Sequence, residues 1–210
     1  MTTQYSPQQT KLLEHVKHRI KEIFSETSVP AHGFDHISRV VAWTQEILKR
    51  EYAKNPLLCE LSAWLHDIGR TIEDVPGENS RKHHELSYEL LRKWYREDTM
   101  FDILSKSEKR ELLYAVRYHW NNVADTYDTA WILRDADKLD GFGAIGMKRA
   151  REHLKNDEEA YNQNFRNQYD SLLHLKTQAA QDIVVEFKLM EAVEREYKKF
   201  LKSKIKKIEL

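Results

Sequence analysis

Six glycines and four prolines in 210 residues leave this chain few places to turn. A β-protein spends such residues at every hairpin. Their scarcity, beside 32% charged residues, predicts an all-α fold. The apolar pattern agrees. Leu12, Leu13, Val16, Ile20 and Ile23 recur at helical spacing, and so do Ile37, Val40, Val41, Ile47 and Leu48. Ser6-Pro7-Gln8-Gln9 reads as an N-cap, a proline at N1 and a capping box. Asn55-Pro56 repeats the cap and proline and opens a helix that runs to Gly69. Further helices are expected over 82–94, from a cap at Ser107, over 131–139 and over 144–154. A long C-terminal helix is expected over 178–207. Residues 28–33 read as a break, 71–81 as a loop long enough to border a cleft, and the polar stretch 156–167 as looped or frayed.

A length of 210 residues suits one domain, and 40% hydrophobic residues suffice for a core. The formal net charge is zero, so no global field recruits nucleic acid or a membrane surface. No apolar run approaches the ~20 residues that span a bilayer. The first ten residues are polar and lack a signal region, which points to a soluble cytoplasmic protein. Cys59 is the single cysteine, so no internal disulfide forms; after Leu57-Leu58 it reads as a small buried apolar residue. The lysine-rich stretch 198–207 reads as a solvated helix end rather than a basic patch.

Three separated segments carry the chemistry. His36 falls in the first turn of a helix. His66 and Asp67 end the apolar approach Leu61-Ser62-Ala63-Trp64-Leu65, and burying two such polar groups is costly unless they are paired or metal-bound. Asp135, Asp137 and Asp140 crowd one helical turn, where like charges repel unless a cation relieves them. The ladder Ala130, Leu133, Asp137, Asp140 supports an inward direction for Asp137. A mixed imidazole and carboxylate set suits one divalent ion: Mn, Mg, Co, Ni, Fe or Zn.

The words His36-Ile37-Ser38-Arg39-Val40, Leu65-His66-Asp67-Ile68-Gly69 and Asp135-Ala136-Asp137-Lys138-Leu139-Asp140 occur in this order. Together they resemble the HD-domain superfamily of metal-dependent phosphohydrolases, over about residues 33–150. The stretch Ile132 to Gly141, followed by Gly143-Ala144-Ile145-Gly146, is similar to small stand-alone bacterial members. The resemblance implies a single HD domain over 1–210, with the terminal helices packed on the 33–150 core.

It also implies His36, His66, Asp67 and Asp137 as metal ligands, with Asp140 holding a ligand histidine from behind. Asp67 would both ligate and orient the attacking water. Arg39, Arg70 and Lys138 are candidate phosphate partners, although Lys138 could equally neutralise the neighbouring aspartates. Arg134 could pair with Asp135 or Asp137. His84 and His119 are candidates for phosphate contact, for catalysis or for a second metal. Against that, His119 could simply cap a packed helix and His83 lie in solvent. Glu85 is a weaker proton-handling carboxylate.

The implied activity is hydrolysis of a phosphoester or phosphoanhydride in a small molecule, most simply a nucleotide, with pyrophosphate released from a nucleoside triphosphate. No nucleic-acid or membrane partner is expected, and a homodimer is compatible with the sequence. No carboxylate stands four residues after Asp67, which sets a 5′-nucleotidase-type mechanism in doubt. The Gly-Tyr-Pro signature of cyclic-dinucleotide phosphodiesterases is missing as well. Two other classes stay open, a di-iron oxygenase of HD type and a non-catalytic nucleotide sensor.

Overall fold

The first helix starts as its capping residues dictate. Ser6 Oγ accepts from Gln9 N, and the Gln9 side chain accepts from Ser6 N, closing the capping box of α1 (Pro7–Ser25). The protein is described here by a computed structural model covering residues 4–27, 29, 33–73, 81–154 and 157–208. Nine further helices follow among these residues: α2 (Phe34–Arg50), α3 (Pro56–Leu65), α4 (His83–Glu97), α5 (Lys106–Tyr118), α6 (Asp128–Gly141), α7 (Gly143–Leu154), α8 (Glu158–Leu173), α9 (Gln178–Glu186) and α10 (Leu189–Ile208). Short 3-10 turns occupy Ile68–Thr71 and Thr99–Ile103, and no strand occurs among the described residues. The expected all-α class holds, with α10 as its long C-terminal helix. No helix among the described residues is long and apolar enough to cross a membrane.

Helix α3 explains why the polar site lies deep. Every residue from Leu57 to Leu65 is buried, because α3 packs against α1, α2, α5 and α6 at once. Leu58, Leu61 and Leu65 meet Ile37 and Val40 of α2, Leu112 and Val116 of α5, and Leu133 and Ala136 of α6 in one core. Each of these leucine, isoleucine and valine side chains contributes about 1.5–3 kcal/mol on burial. Cys59 lies in the same core, and burial pushes its thiol pKa up. A smaller cluster of Met147, Phe165 and Val193 joins α7, α8 and α10.

Several boundaries differ from those expected. Helix α3 stops at Leu65, with His66 as its C-cap, so the His-Asp pair forms the turn beyond the helix rather than its last residues. The cap of α5 is Ser105, whose Oγ accepts from Glu108 N while Glu108 accepts from Ser105 N. Only Ser105 has a glutamate three residues on, the partner a capping box needs.

Residues 158–167 are helical, not looped. Asp157 caps α8 by accepting from Ala160 N, and Phe165 is buried against Met147 and Val193. The stretch 178–207 is two helices, because its halves serve different cores. Ile183 and Val184 belong to the main core and Val193 to the smaller one. The chain redirects at Lys188, whose φ of 52° is left-handed. Most of the expected cleft-bordering loop, residues 74–80, lies outside the described residues, as do residues 28 and 30–32 of the expected break.

Candidate metal centre

Helix α2 begins at Phe34, so His36 stands in its first turn, with its side chain 3% exposed. The end of α3 delivers His66 and Asp67 from the opposite side, and α6 delivers Asp137. Their ligand atoms converge. His36 Nε2 lies 3.3 Å from His66 Nε2, 3.7 Å from Asp67 Oδ2 and 3.4 Å from Asp137 Oδ1, and His66 Nε2 is 3.8 Å from Asp67 Oδ2. Donors held about 2.1 Å from one ion sit roughly 3.0–3.4 Å apart, so the observed spacings need only a slight contraction. Asp137 is 35% exposed while the other side chains are nearly closed off, so the centre opens to solvent on the Asp137 side.

The hydrogen bonds behind the histidines settle which nitrogens face inward. His66 Nδ1–H donates to Ala63 O at 2.9 Å, and His36 Nδ1–H donates to Asp140 Oδ2 at 2.7 Å. Each ring therefore turns a lone pair on Nε2 toward the centre, the arrangement that fixes metal-ligating histidines. Burial holds the His36 pKa below its ordinary value against the pull of Asp140 and Asp137, which favours the neutral imidazole that ligates. The lone pairs of His36 and His66 and the Asp67 carboxylate thus converge within 4.8 Å of one another, and Asp137 approaches this group from the His36 side. The donor set fits a divalent cation.

A second group shares Asp67. His83 Nε2 is 3.4 Å, and His119 Nε2 3.8 Å, from Asp67 Oδ1. These three residues could also hold an ion. His119 Nδ1–H donates to Val116 O at 2.7 Å, again leaving Nε2 facing inward. Burial lowers the pKa of His119 to about 4 and that of His83 to about 3, keeping both rings neutral.

His83 is the residue that sequence reasoning missed. It is half-buried rather than solvated, and His84 lies one step outward against Trp120. Its position depends on Gly69: a Cβ there would stand 2.1 Å from His83 O and 2.5 Å from Ser87 N. Gly69 lets the turn after Asp67 lie directly on the start of α4, and Gly69 N donates to Ser87 Oγ at 2.8 Å. A glycine two residues after the His-Asp pair was the available signal for a close backbone approach, but it does not say which residue approaches.

The remaining candidates divide. Arg70 donates to Asp67 Oδ2 at 3.1 Å and to Glu73 at 3.1 Å, at the edge of the second group. Arg39 donates to both oxygens of Asp140, at 2.5 and 3.2 Å, and Arg149, which the sequence reading did not single out, also donates to Asp140. Burial works to raise the Asp140 pKa, but His36, Arg39 and Arg149 hold it down at about 2. Lys138 points away from the centre and donates to Asn122 Oδ1 and His174 O. Glu85 pairs with Arg117. Arg134 pairs with neither Asp135 nor Asp137; its guanidinium donates to Asp125 and to the carbonyls of Asn121 and Ala124.

An all-helical bundle with a polar His and Asp cluster at the end of its most buried helix defines a helical domain whose buried centre could hold a metal ion. The sequence matches the HD domain family over residues 33–141, more than half of the chain, and the chain belongs to that family. No curated protein matches it. Among solved structures it resembles Bacillus subtilis YpgQ in complex with ADP, at TM-score 0.67 and 19% identity, over 93% of this chain and 96% of that one. It also resembles a predicted HD superfamily hydrolase from an uncultured Thermotogales bacterium, at TM-score 0.56 and 27% identity, over 83% and 92%. An HD-superfamily hydrolase from Bacillus thuringiensis gives TM-score 0.63 at 19% identity, over 93% and 97%. The fold is that of HD-superfamily hydrolases.

Proposed function

We propose that this protein is a metal-dependent phosphohydrolase of a nucleotide, splitting a nucleoside triphosphate into the monophosphate and pyrophosphate. The observation that carries the reading is the convergence of His36 Nε2, His66 Nε2 and Asp67 Oδ2, with Asp137 Oδ1 3.4 Å from His36 Nε2 on the open side. A divalent ion held there would lower the pKa of a water and polarise a P–O bond. The YpgQ structure was solved with ADP, which favours a nucleotide over other phosphoesters.

The chain's own groups divide the work. Asp67 is the one carboxylate common to both histidine groups, so it both anchors the centre and accepts a hydrogen bond from the attacking water. His66 and His119 are held in one tautomer by Ala63 O and Val116 O. Arg70, 3.1 Å from Asp67, is the nearest cation for a phosphate oxygen, and His84 and His119 line the same side. Arg39 acts through Asp140, and Lys138 is assigned to the α6–α8 surface rather than to substrate. Asp67, His83 and His119 could together hold a second ion in place of the Arg70 guanidinium, which lies 3.4 Å from His83 Nε2.

The test is a panel of nucleoside triphosphates, diphosphates, monophosphates and simple phosphoesters, incubated with protein reconstituted with Mn, with products separated by ion exchange. Pyrophosphate release that stops on chelation is the expected result. Equal turnover in metal-free protein would refute the reading, and turnover of monophosphates alone would refute its pyrophosphohydrolase part.

A further inference from the structure

One large aromatic side chain stands exposed beside the histidines. Trp120 follows His119 directly, in the turn after α5, and is 57% exposed. Its ring lies against that of His84, 5.2 Å away and tilted by 35°. His84 in turn stands 5.3 Å from the ring of His83 and 6.5 Å from that of His119, the two histidines that face Asp67. A continuous row of rings therefore leads from the centre to solvent and ends on an open tryptophan face. Solvating more than half of a tryptophan forgoes the burial that usually stabilises one. Tyr52, the other strongly exposed aromatic at 84%, makes no ring contact with this histidine row among the described residues.

We infer that the Trp120 and His84 pair is the platform on which the base of a nucleotide stacks while its phosphates reach the Asp67 centre. The inference rests on the nucleotide reading and deepens it. Ring centroids step 6.5 Å from His119 to His84 and 5.2 Å from His84 to Trp120, a path that the pentose and the phosphate chain of a nucleotide would cover together. Stacking accepts any base with a π-face. The row is built of ring faces, so ring area is the main thing this platform reads. It predicts a hydrolase that discriminates weakly among purines and strongly against phosphates that carry no ring.

The experiment measures equilibrium binding, so it does not depend on turnover. Full-length protein loaded with Mn is titrated with α,β-methylene-ADP, its guanine counterpart and methylenediphosphonate, for wild type, Trp120→Ala and Trp120→Phe. Trp120→Ala should weaken both nucleotide analogues about tenfold, within the range that base–aromatic stacking supports, and Trp120→Phe should recover most of that loss. Methylenediphosphonate affinity should stay within twofold in all three, which also certifies that fold and metal are intact. Equal losses for all three probes, an unchanged nucleotide affinity in Trp120→Ala, or failure of wild type to bind the analogues would each overturn the platform. If the analogues bind as expected but no triphosphate is hydrolysed, the platform stands and the catalytic reading falls.

Discussion

Asp140 accepts from His36 Nδ1 at 2.7 Å while Arg39 donates to the same carboxylate, 101 residues away in sequence. The carboxylate thus joins the start of α2 to the end of α6 and aims one imidazole. Asp140→Asn keeps the size of the side chain but weakens the hold on the ring. Metal affinity should fall on the order of 10–100-fold, as for other partners lying behind a ligand. Equilibrium dialysis against Mn measures it, and an unchanged affinity would show that His36 needs no such support.

His83 and His84 are adjacent, but only His83 faces Asp67. At high Mn concentration the protein is expected to take up a second ion. His83→Ala and His119→Ala should lower the stoichiometry from two to one, and His84→Ala should leave it unchanged. Metal analysis of the dialysed variants decides this. A stoichiometry of one in the wild type would remove the second site.

The residues proposed as ligands were legible because such side chains stand out in an apolar sequence. A histidine at a helix start and a His-Asp pair ending an apolar run are conspicuous in a core, whereas of the three aspartates in one turn Asp137 and Asp140 meet His36 and Asp135 holds the start of α9. The helices were legible from period and capping residues, as at Ser6 and Pro7. What could not be read depended on contacts between segments far apart in sequence. The choice of His83 over His84 follows from the approach of Gly69 to α4. The division of 178–207 follows from two separate cores, and α8 hides its one fully buried aromatic, Phe165, in a polar stretch. Arg134 has acidic neighbours on its own helix, yet its partners lie in the preceding turn.

Asp98 gives the protein a pH dependence remote from the centre. Its carboxylate accepts from Arg19 Nη1 at 2.7 Å, lies 2.7 Å from His15 Nε2 and also caps Met100 N. Burial works to raise its pKa, but His15, Met100 N and Arg19 together lower it. A carboxylate with a depressed folded-state pKa stabilises the protein above its unfolded value, about 3.9, and the contribution is lost as pH falls through the folded value. Asp98→Asn keeps the cap and removes the charge. It should cost about 1.5–3 kcal/mol at neutral pH, with the gap from wild type closing as pH falls below the unfolded value and through the depressed folded one. Urea melts across pH measure the gap, and a constant difference would show that the charge contributes nothing.

Asp135 and Asp137 share a helix and differ in what they face. Asp137 Oδ1 lies 3.4 Å from His36 Nε2. Asp135 is fully buried on another side of α6, where it accepts from Lys176 N, Thr177 N and the Thr177 hydroxyl. Helical rotation alone suggests that Asp135→Asn would be nearly silent, since the two side chains point about 160° apart. The structure corrects that expectation for stability, because Asp135 ties the start of α9 to α6. An asparagine amide there would set donors against donors, leaving buried groups unsatisfied at about 1–3 kcal/mol. Asp135→Asn should therefore melt earlier but bind metal like wild type. Asp137→Asn should melt near wild type and lose metal by more than the ~10–100-fold expected of an outer partner. Thermal melts and metal content, measured on both variants, separate the roles. If Asp135→Asn were the metal-free protein, the ligand taken from α6 would be misassigned.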